Sequence, residues 1–253
     1  MRIFALSDIH VDYEVNAKWI RNLSQSDYRD DLLILAGDVS HKQTLLASCL
    51  NALTRRFRQV LFVPGNHDLW VLGEGKEKTS LQKFLEVADT VEASGASMQP
   101  FRRDGVLVMP LFGWYDYSFG EPSEILMNVW TDFRACRWPE GYDAADVAEH
   151  FARMNRVPPA IAGEKVITFS HFLPRIDLVP PYVPQKHRML DPVLGSTRLE
   201  EQLRLLRPAI HVYGHSHINR TVMYDGIAYV NNAFGYPQEE RIASKQLLCI
   251  DTL

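Results

Sequence analysis

Short apolar runs recur along the chain, and each stops abruptly on polar residues. Residues 3–6 stop at Ser7-Asp8, residues 31–36 (DLLILA) at Gly37-Asp38, and residues 59–63 (QVLFV) at Pro64-Gly65-Asn66. Farther on, 166–169 (VITF) stops at Ser170-His171 and 209–213 (AIHVY) at Gly214-His215. Runs this short, continuous and rich in β-branched or aromatic residues predict strands covered on both faces. The intervals read as helices. Residues 17–23, 44–57, 81–92, 144–156 and 196–206 alternate apolar and polar positions at helical spacing. Ser80 is a candidate cap for the third, and Tyr142 or Asp143 for the fourth.

Strands alternating with helices imply an α/β layered fold. Beyond His217 the pattern changes: 221–224, 227–230 and 246–250 read as strands joined by turns, and Asp225-Gly226 is a strong hairpin signal. Antiparallel strands are therefore expected beside the crossovers. Residues 1–253 are read as one domain with a variable segment at 111–159. That segment carries Trp114, Tyr115, Tyr117, Phe119, Trp130, Phe133, Trp138 and Tyr142 among Pro and Gly. It is either a satellite core under a long surface stretch or a cap whose aromatics meet the substrate.

Composition narrows the class of protein. With 46% hydrophobic and 23% charged residues, the 253-residue chain has enough apolar content for a sizeable core. A net charge of −4 gives little support to an electropositive nucleic-acid groove. Cys49, Cys136 and Cys249 are too few and scattered for a disulfide framework, and they fit a reducing compartment. The N-terminus lacks the apolar core of a signal peptide, and no stretch approaches the roughly 18 apolar residues of a membrane span. A cytoplasmic protein is expected.

The residues at the strand exits carry the chemistry: Asp8 with His10, Asp38, Asn66 with His67, His171, and His215 with His217. An extended backbone would turn Asp8 and His10 to one side, and likewise His215 and His217. Imidazoles mixed with carboxylates suit Mn, Fe, Zn or Ni, whereas oxygen alone favours Mg or Ca. Such a set exceeds one tetrahedral site but fills two larger ones if a carboxylate bridges. Each segment alone is a weak signal; their joint placement after recognisable strands is not.

The blocks SDIH at 7–10, GD at 37–38, GNHD at 65–68, the histidine at 171 and GHSH at 214–217 resemble the calcineurin-like metallophosphoesterase superfamily in type and order. The resemblance leaves 111–159 uncovered. It implies a four-layer α/β/β/α sandwich with two mixed β-sheets around a dinuclear centre. Asp8, His10 and His217 would bind one divalent ion, and Asn66, His171 and His215 the other. Asp38 would bridge them, and His67 would be the catalytic histidine.

Such a centre implies a metal-dependent phosphohydrolase, cleaving a phosphomonoester or phosphodiester with a metal-activated hydroxide. Manganese is the first expectation for the ions. A small phosphorylated molecule or nucleotide is the expected substrate. A nuclease or cyclic-nucleotide phosphodiesterase is the alternative; a non-catalytic interaction scaffold, with degraded metal positions, is a remote one. Protein phosphatases of the superfamily carry GDxxDRG and GNHE. The present GDVSHKQ and GNHD argue against that activity. Asp68 is read as supporting the site or its turn. Candidate substrate contacts are His41, Trp114, Tyr117, Trp138, Arg134, Arg137 and the run Lys186-His187-Arg188. For His41, capping the following helix is the simpler role.

Overall fold

The apolar runs become strands because each has two faces to bury. The computed structural model describes residues 1–159 and 161–253. In chain order it forms β1 (Arg2–Leu6), α1 (Glu14–Asn22), β2 (Leu32–Ala36), α2 (Gln43–Thr54), β3 (Gln59–Val63), α3 (Ser80–Ala93), β4 (Phe101–Arg103) and β5 (Val106–Pro110). Then follow α4 (Glu124–Val129), α5 (Asp132–Ala135), α6 (Ala144–Met154), β6 (Lys165–Phe169), α7 (Thr197–Leu206), β7 (Ile210–Tyr213), β8 (Arg220–Tyr224), β9 (Ile227–Asn231) and β10 (Leu248–Thr252). One sheet has the order β10-β1-β2-β3 and the other β4-β5-β6-β7-β9-β8. Both are mixed: parallel strands fill their interiors, and β10, β4 and β8 pair antiparallel at edges.

Alternation along each strand divides the interior. Ile3, Ala5, Ile34 and Leu61 of the first sheet share an apolar cluster with Val108, Ile167, Phe169 and Val212 of the second. The intervening positions, including Leu33, Leu35, Met109 and Tyr213, belong to the cluster that takes up the apolar faces of the helices. The result is helix, sheet, sheet, helix. Burying each large aliphatic side chain contributes about 1.5–3 kcal/mol, so the doubly covered strands are the rigid base for the loops beyond them.

Three local details differ from the sequence reading. The strands β4 and β5 were not foreseen, although Asp104-Gly105 between them is the same kind of turn as Asp225-Gly226; all four residues have positive φ. The last strand does not join β9 through a turn. It crosses to the first sheet and pairs with β1. Thr79, not Ser80, caps α3, in a reciprocal box with Gln82. Ser80 is the first helical residue, and its hydroxyl donates to the Leu69 carbonyl. At α6 the cap is Asp143, boxed with Asp146.

Candidate metal centre

The loops leaving β1, β2, β3, β6 and β7 meet at the carboxyl ends of the two sheets, where open α/β sheets gather their ligands. Their backbone is not extended. Asp8, His10, Asp38, His215 and His217 all lie at positive φ, between 41° and 67°. The expectation that extended spacing turns paired residues to one side is therefore corrected: left-handed turns aim them. Each costs about 1–3 kcal/mol and persists because the surrounding sheets impose it. Glycine makes room for the convergence. A Cβ on Gly65 would collide with the Asp38 carboxylate and the His171 ring, and one on Gly37 would lie 2.5 Å from His171 Nδ1.

Seven donors converge as two groups. Asp8, His10 and His217 offer ligand atoms within 4.8 Å of one another, as do Asp38, His171 and His215. His10 Nε2 stands 3.2 Å from His217 Nε2, which is 3.3 Å from Asp8 Oδ1. On the other side His171 Nε2 is 3.1 Å from both His215 Nδ1 and Asn66 Oδ1. Asp38 lies between, with Oδ2 3.9 Å from His10 Nε2 and Oδ1 3.5 Å from His171 Nε2. His67 Nε2 is 3.9 Å from Asp38 Oδ2, so a third grouping comprises His10, Asp38 and His67. Its ring stacks on Trp70 with centroids 3.7 Å apart. Its side chain is one-fifth exposed, against 3% or less for His10, Asp38 and His171.

Three of the imidazoles are oriented from behind. His171 Nδ1 meets the Ala36 carbonyl at 2.9 Å, His215 Nε2 the Val193 carbonyl at 3.0 Å, and His217 Nδ1 the Glu239 carboxylate at 2.6 Å. Such partners fix which ring nitrogen is left for a metal. The Asn66 amide donates to Asp132 Oδ1 at 2.9 Å, which turns its oxygen toward His171. Trp70 and Trp130 also donate their indole N–H groups to Asp132. Asp68 accepts from the backbone N–H groups of Asp38, Val39, Ser40 and Gly65, at 2.8–3.0 Å. Its carboxylate therefore clamps the GD loop to the GNHD loop, combining the support and turn roles read from the sequence.

The electrostatics call for cations. Burial pushes the Asp38 carboxyl well above its usual pKa, and neighbouring Asp8 and Asp68 push it further. Burial raises Asp68 to about 6 against its four backbone donors. His10 is driven down to about 3, by burial first and His217 second. His217 goes the other way: burial opposes its charge, but Asp8 and Glu239 outweigh that and raise it to about 10. Buried carboxylates and imidazole nitrogens at such separations repel unless protons or metals lie between them. The mixed oxygen and nitrogen donor set fits divalent transition metals.

The remaining candidates fall elsewhere. Trp114 is 1% exposed and packs edge-on against Trp138 and Phe172, so it is core, not a substrate platform. Trp138 packs against the same cluster. Tyr117 is half-buried and stacks on Tyr115. Arg137 donates to the Gly75 and Lys78 carbonyls, which makes it a loop tie, and Arg134 is exposed. Arg188 pairs with Asp191, while Lys186 and His187 are exposed. His41 does not cap α2, whose N-cap is Lys42; its ring lies 6.0 Å from Trp70. The sequence reading missed Trp70, Asp132 and Glu239. Only Trp70 had a usable signal, three residues after His67 and so on the same side of a helical turn.

Over residues 1–219 the chain matches the calcineurin-like phosphoesterase family. It is 27% identical over 270 residues to the [acyl-carrier-protein] phosphodiesterase PptH of Mycobacterium tuberculosis, covering 94% of this chain and 79% of that protein. The crystal structure of phosphopantetheinyl hydrolase (PptH) from the same organism superposes with a TM-score of 0.76 at 26% identity. That alignment covers 94% of this chain and 90% of the other.

Proposed function

The chain belongs to the calcineurin-like phosphoesterase family and is a phosphoester hydrolase; from that premise we propose that it cleaves the phosphodiester joining phosphopantetheine to a carrier protein. The observation that carries this reading is the likeness to PptH along 94% of the chain, together with a donor cluster in which every position is filled. A carrier-borne diester thereby takes precedence over the free small phosphorylated molecule or nucleotide expected from the sequence. Among the described residues no helix is long and apolar enough to cross a membrane. Cys49, Cys136 and Cys249 are all free, in keeping with the cytoplasmic setting we assign to it.

In this reading Asp8, His10 and His217 hold one divalent ion, Asn66, His171 and His215 hold the second, and Asp38 is shared. Manganese is our first assignment; Fe, Zn and Ni suit the same donors. Bound there, the ions supply Lewis acidity toward phosphoryl oxygens and lower the pKa of water to near neutrality. The protein's own part is orientation and proton transfer. Trp70 restricts the His67 ring, whose Nε2 faces the same side as Asp38 and remains open to substrate. From there His67, which burial and the neighbouring imidazoles hold well below its ordinary pKa, takes up the proton released by the attacking water and passes it to the departing seryl oxygen as the P–O bond breaks. Water contributes hydroxyl to phosphorus, and the products are apo-carrier protein and phosphopantetheine.

The test is mass spectrometry of holo-carrier protein incubated with manganese-loaded enzyme, alongside bis-p-nitrophenyl phosphate and p-nitrophenyl phosphate. Apo-carrier and free phosphopantetheine are expected, and Asp38→Asn should reduce their formation by about 10²–10³-fold. His67→Asn should lower turnover with metal content retained; if metal leaves with activity, His67 is a ligand instead. Cleavage of the synthetic diester without the carrier would point to another diester. Preference for the monoester would return the nucleotide reading.

A further inference from the structure

Beside the donor cluster lies a cavity of about 470 Å³, walled by residues of the 179–194 segment on one side and by Ser216, Ile218, Glu239 and Ile242 on the other. We propose that it receives the pantetheine arm of the substrate, so that the diester phosphate rests on the metal centre while the carrier protein stays outside. The inference rests on the carrier-borne diester reading and adds the subsite that selects it.

Position is the first argument. The elements that wall the cavity also hold two of the candidate metal ligands. Ser216 stands between His215 and His217, and Glu239 accepts the hydrogen bond from His217 Nδ1. On the opposite wall Leu194 follows Val193, whose carbonyl holds His215 Nε2. A ligand filling the cavity therefore ends against the histidine side of the centre.

Size and chemistry narrow the occupant. The volume falls in the range of small-molecule sites, roughly 300–1,000 Å³, and admits a flexible arm but no folded protein. Val179, Val183, Leu190, Leu194, Ile218 and Ile242 make most of the wall apolar. Among the described lining residues there is no Lys or Arg, whereas Asp191 and Glu239 are acidic. Asp191 is paired with Arg188 and Glu239 with His217, so the wall offers a second phosphate group, as in a nucleotide or a polynucleotide, no unpaired Lys or Arg to bind it. An uncharged arm with apolar methyl and methylene groups needs none. The arm's amide N–H groups have an acceptor waiting: Asp191 gives Oδ2 to Arg188 at 2.8 Å, and its Oδ1 has no hydrogen-bond partner. That oxygen is itself buried in the wall, so an amide donor reaches it only when the carboxylate turns. Trp114 is packed in the core, and the aromatic ring that does line the cavity, Tyr182, is largely exposed to solvent.

The probe is pantetheine itself, without phosphate, titrated calorimetrically into the metal-loaded protein and tested as an inhibitor of bis-p-nitrophenyl phosphate hydrolysis. Binding is expected, with an apparent rise in KM and no change in kcat. Val183→Trp narrows one wall, and Ile242→Asp places charge on the exposed part of the other. Each should weaken pantetheine binding about tenfold. Each should also lower kcat/KM for holo-carrier protein about tenfold more than for the synthetic diester. Absence of pantetheine binding overturns the assignment, as does an equal loss on both substrates. If the carrier is cut equally well by wild type and variants, the cavity assignment fails and the substrate reading stands. If pantetheine binds in the cavity but no carrier is cut, the cavity stands as a pantetheine site and the carrier reading fails.

Discussion

On the Asp8–His10–His217 side of the cluster the support is a charge, whereas on the Asn66–His171–His215 side it is mostly neutral backbone. Glu239 hydrogen-bonds His217 directly and helps raise it to about 10. His171 and His215 instead lean on the Ala36 and Val193 carbonyls, and burial lowers both. The one carboxylate on that side, Asp132, acts through the Asn66 amide and is shared with two indoles. The contrast teaches that one side is tuned by an acid near the surface and the other by geometry locked in the core. Glu239 is 22% exposed in its side chain, while Asp132 is buried.

The largest effect should come from Asp132→Ala. Three N–H donors lose their acceptor, each unsatisfied group costing about 1–3 kcal/mol, so destabilisation of about 2–4 kcal/mol is expected after partial relaxation. Metal affinity on the Asn66 side should fall about 10–100-fold. Urea unfolding with metal titration reads both; retention of both ions at full affinity would break the comparison. Glu239→Gln should cost less in stability, because its site is partly wet, yet weaken metal binding on the Asp8 side by about tenfold or more. If both ions weaken together, the two sides are one coupled unit and the contrast fails.

A pH-dependent effect sharpens the role of the core behind the second side. His211 is wholly buried between Thr168 and Ser170, at 2.8 and 3.2 Å, and burial lowers it to about 3. The unfolded chain takes up a proton near pH 6.5 and the folded chain does not. This contribution to stability is therefore complete above about pH 6.5 and lost as pH falls toward 3, by up to about 1.4 kcal/mol per pH unit. Urea midpoints for His211→Gln, measured from pH 4 to 7, should fall less steeply than those of the wild type. Identical slopes would remove His211 as the source.

The strand exits were legible because both of their signals are local. A continuous apolar run ending on a polar residue marks the end of a buried strand, and the motif order then grouped Asp8, Asp38, Asn66, His171 and His215 at one edge. The supports were not legible. Asp132 and Asn66 are 66 residues apart, and His217 and Glu239 are 22 apart, with no periodicity linking either pair. Trp114 illustrates the opposite error: an aromatic-rich stretch gives the same signal whether its rings face a substrate or the core.

From its sequence alone, this protein's alternating strands and helices, its family resemblance and its set of donor side chains could be read, because these depend on residue type and short spacing. The tertiary structure alone decided the left-handed turns that aim Asp8, His10, Asp38, His215 and His217, since neighbouring sheets must hold a strained backbone that extended spacing would not predict. It also decided which carboxylates stand behind the donors and where the apolar cavity opens. Those features are made by contacts between distant segments, and no local pattern encodes them.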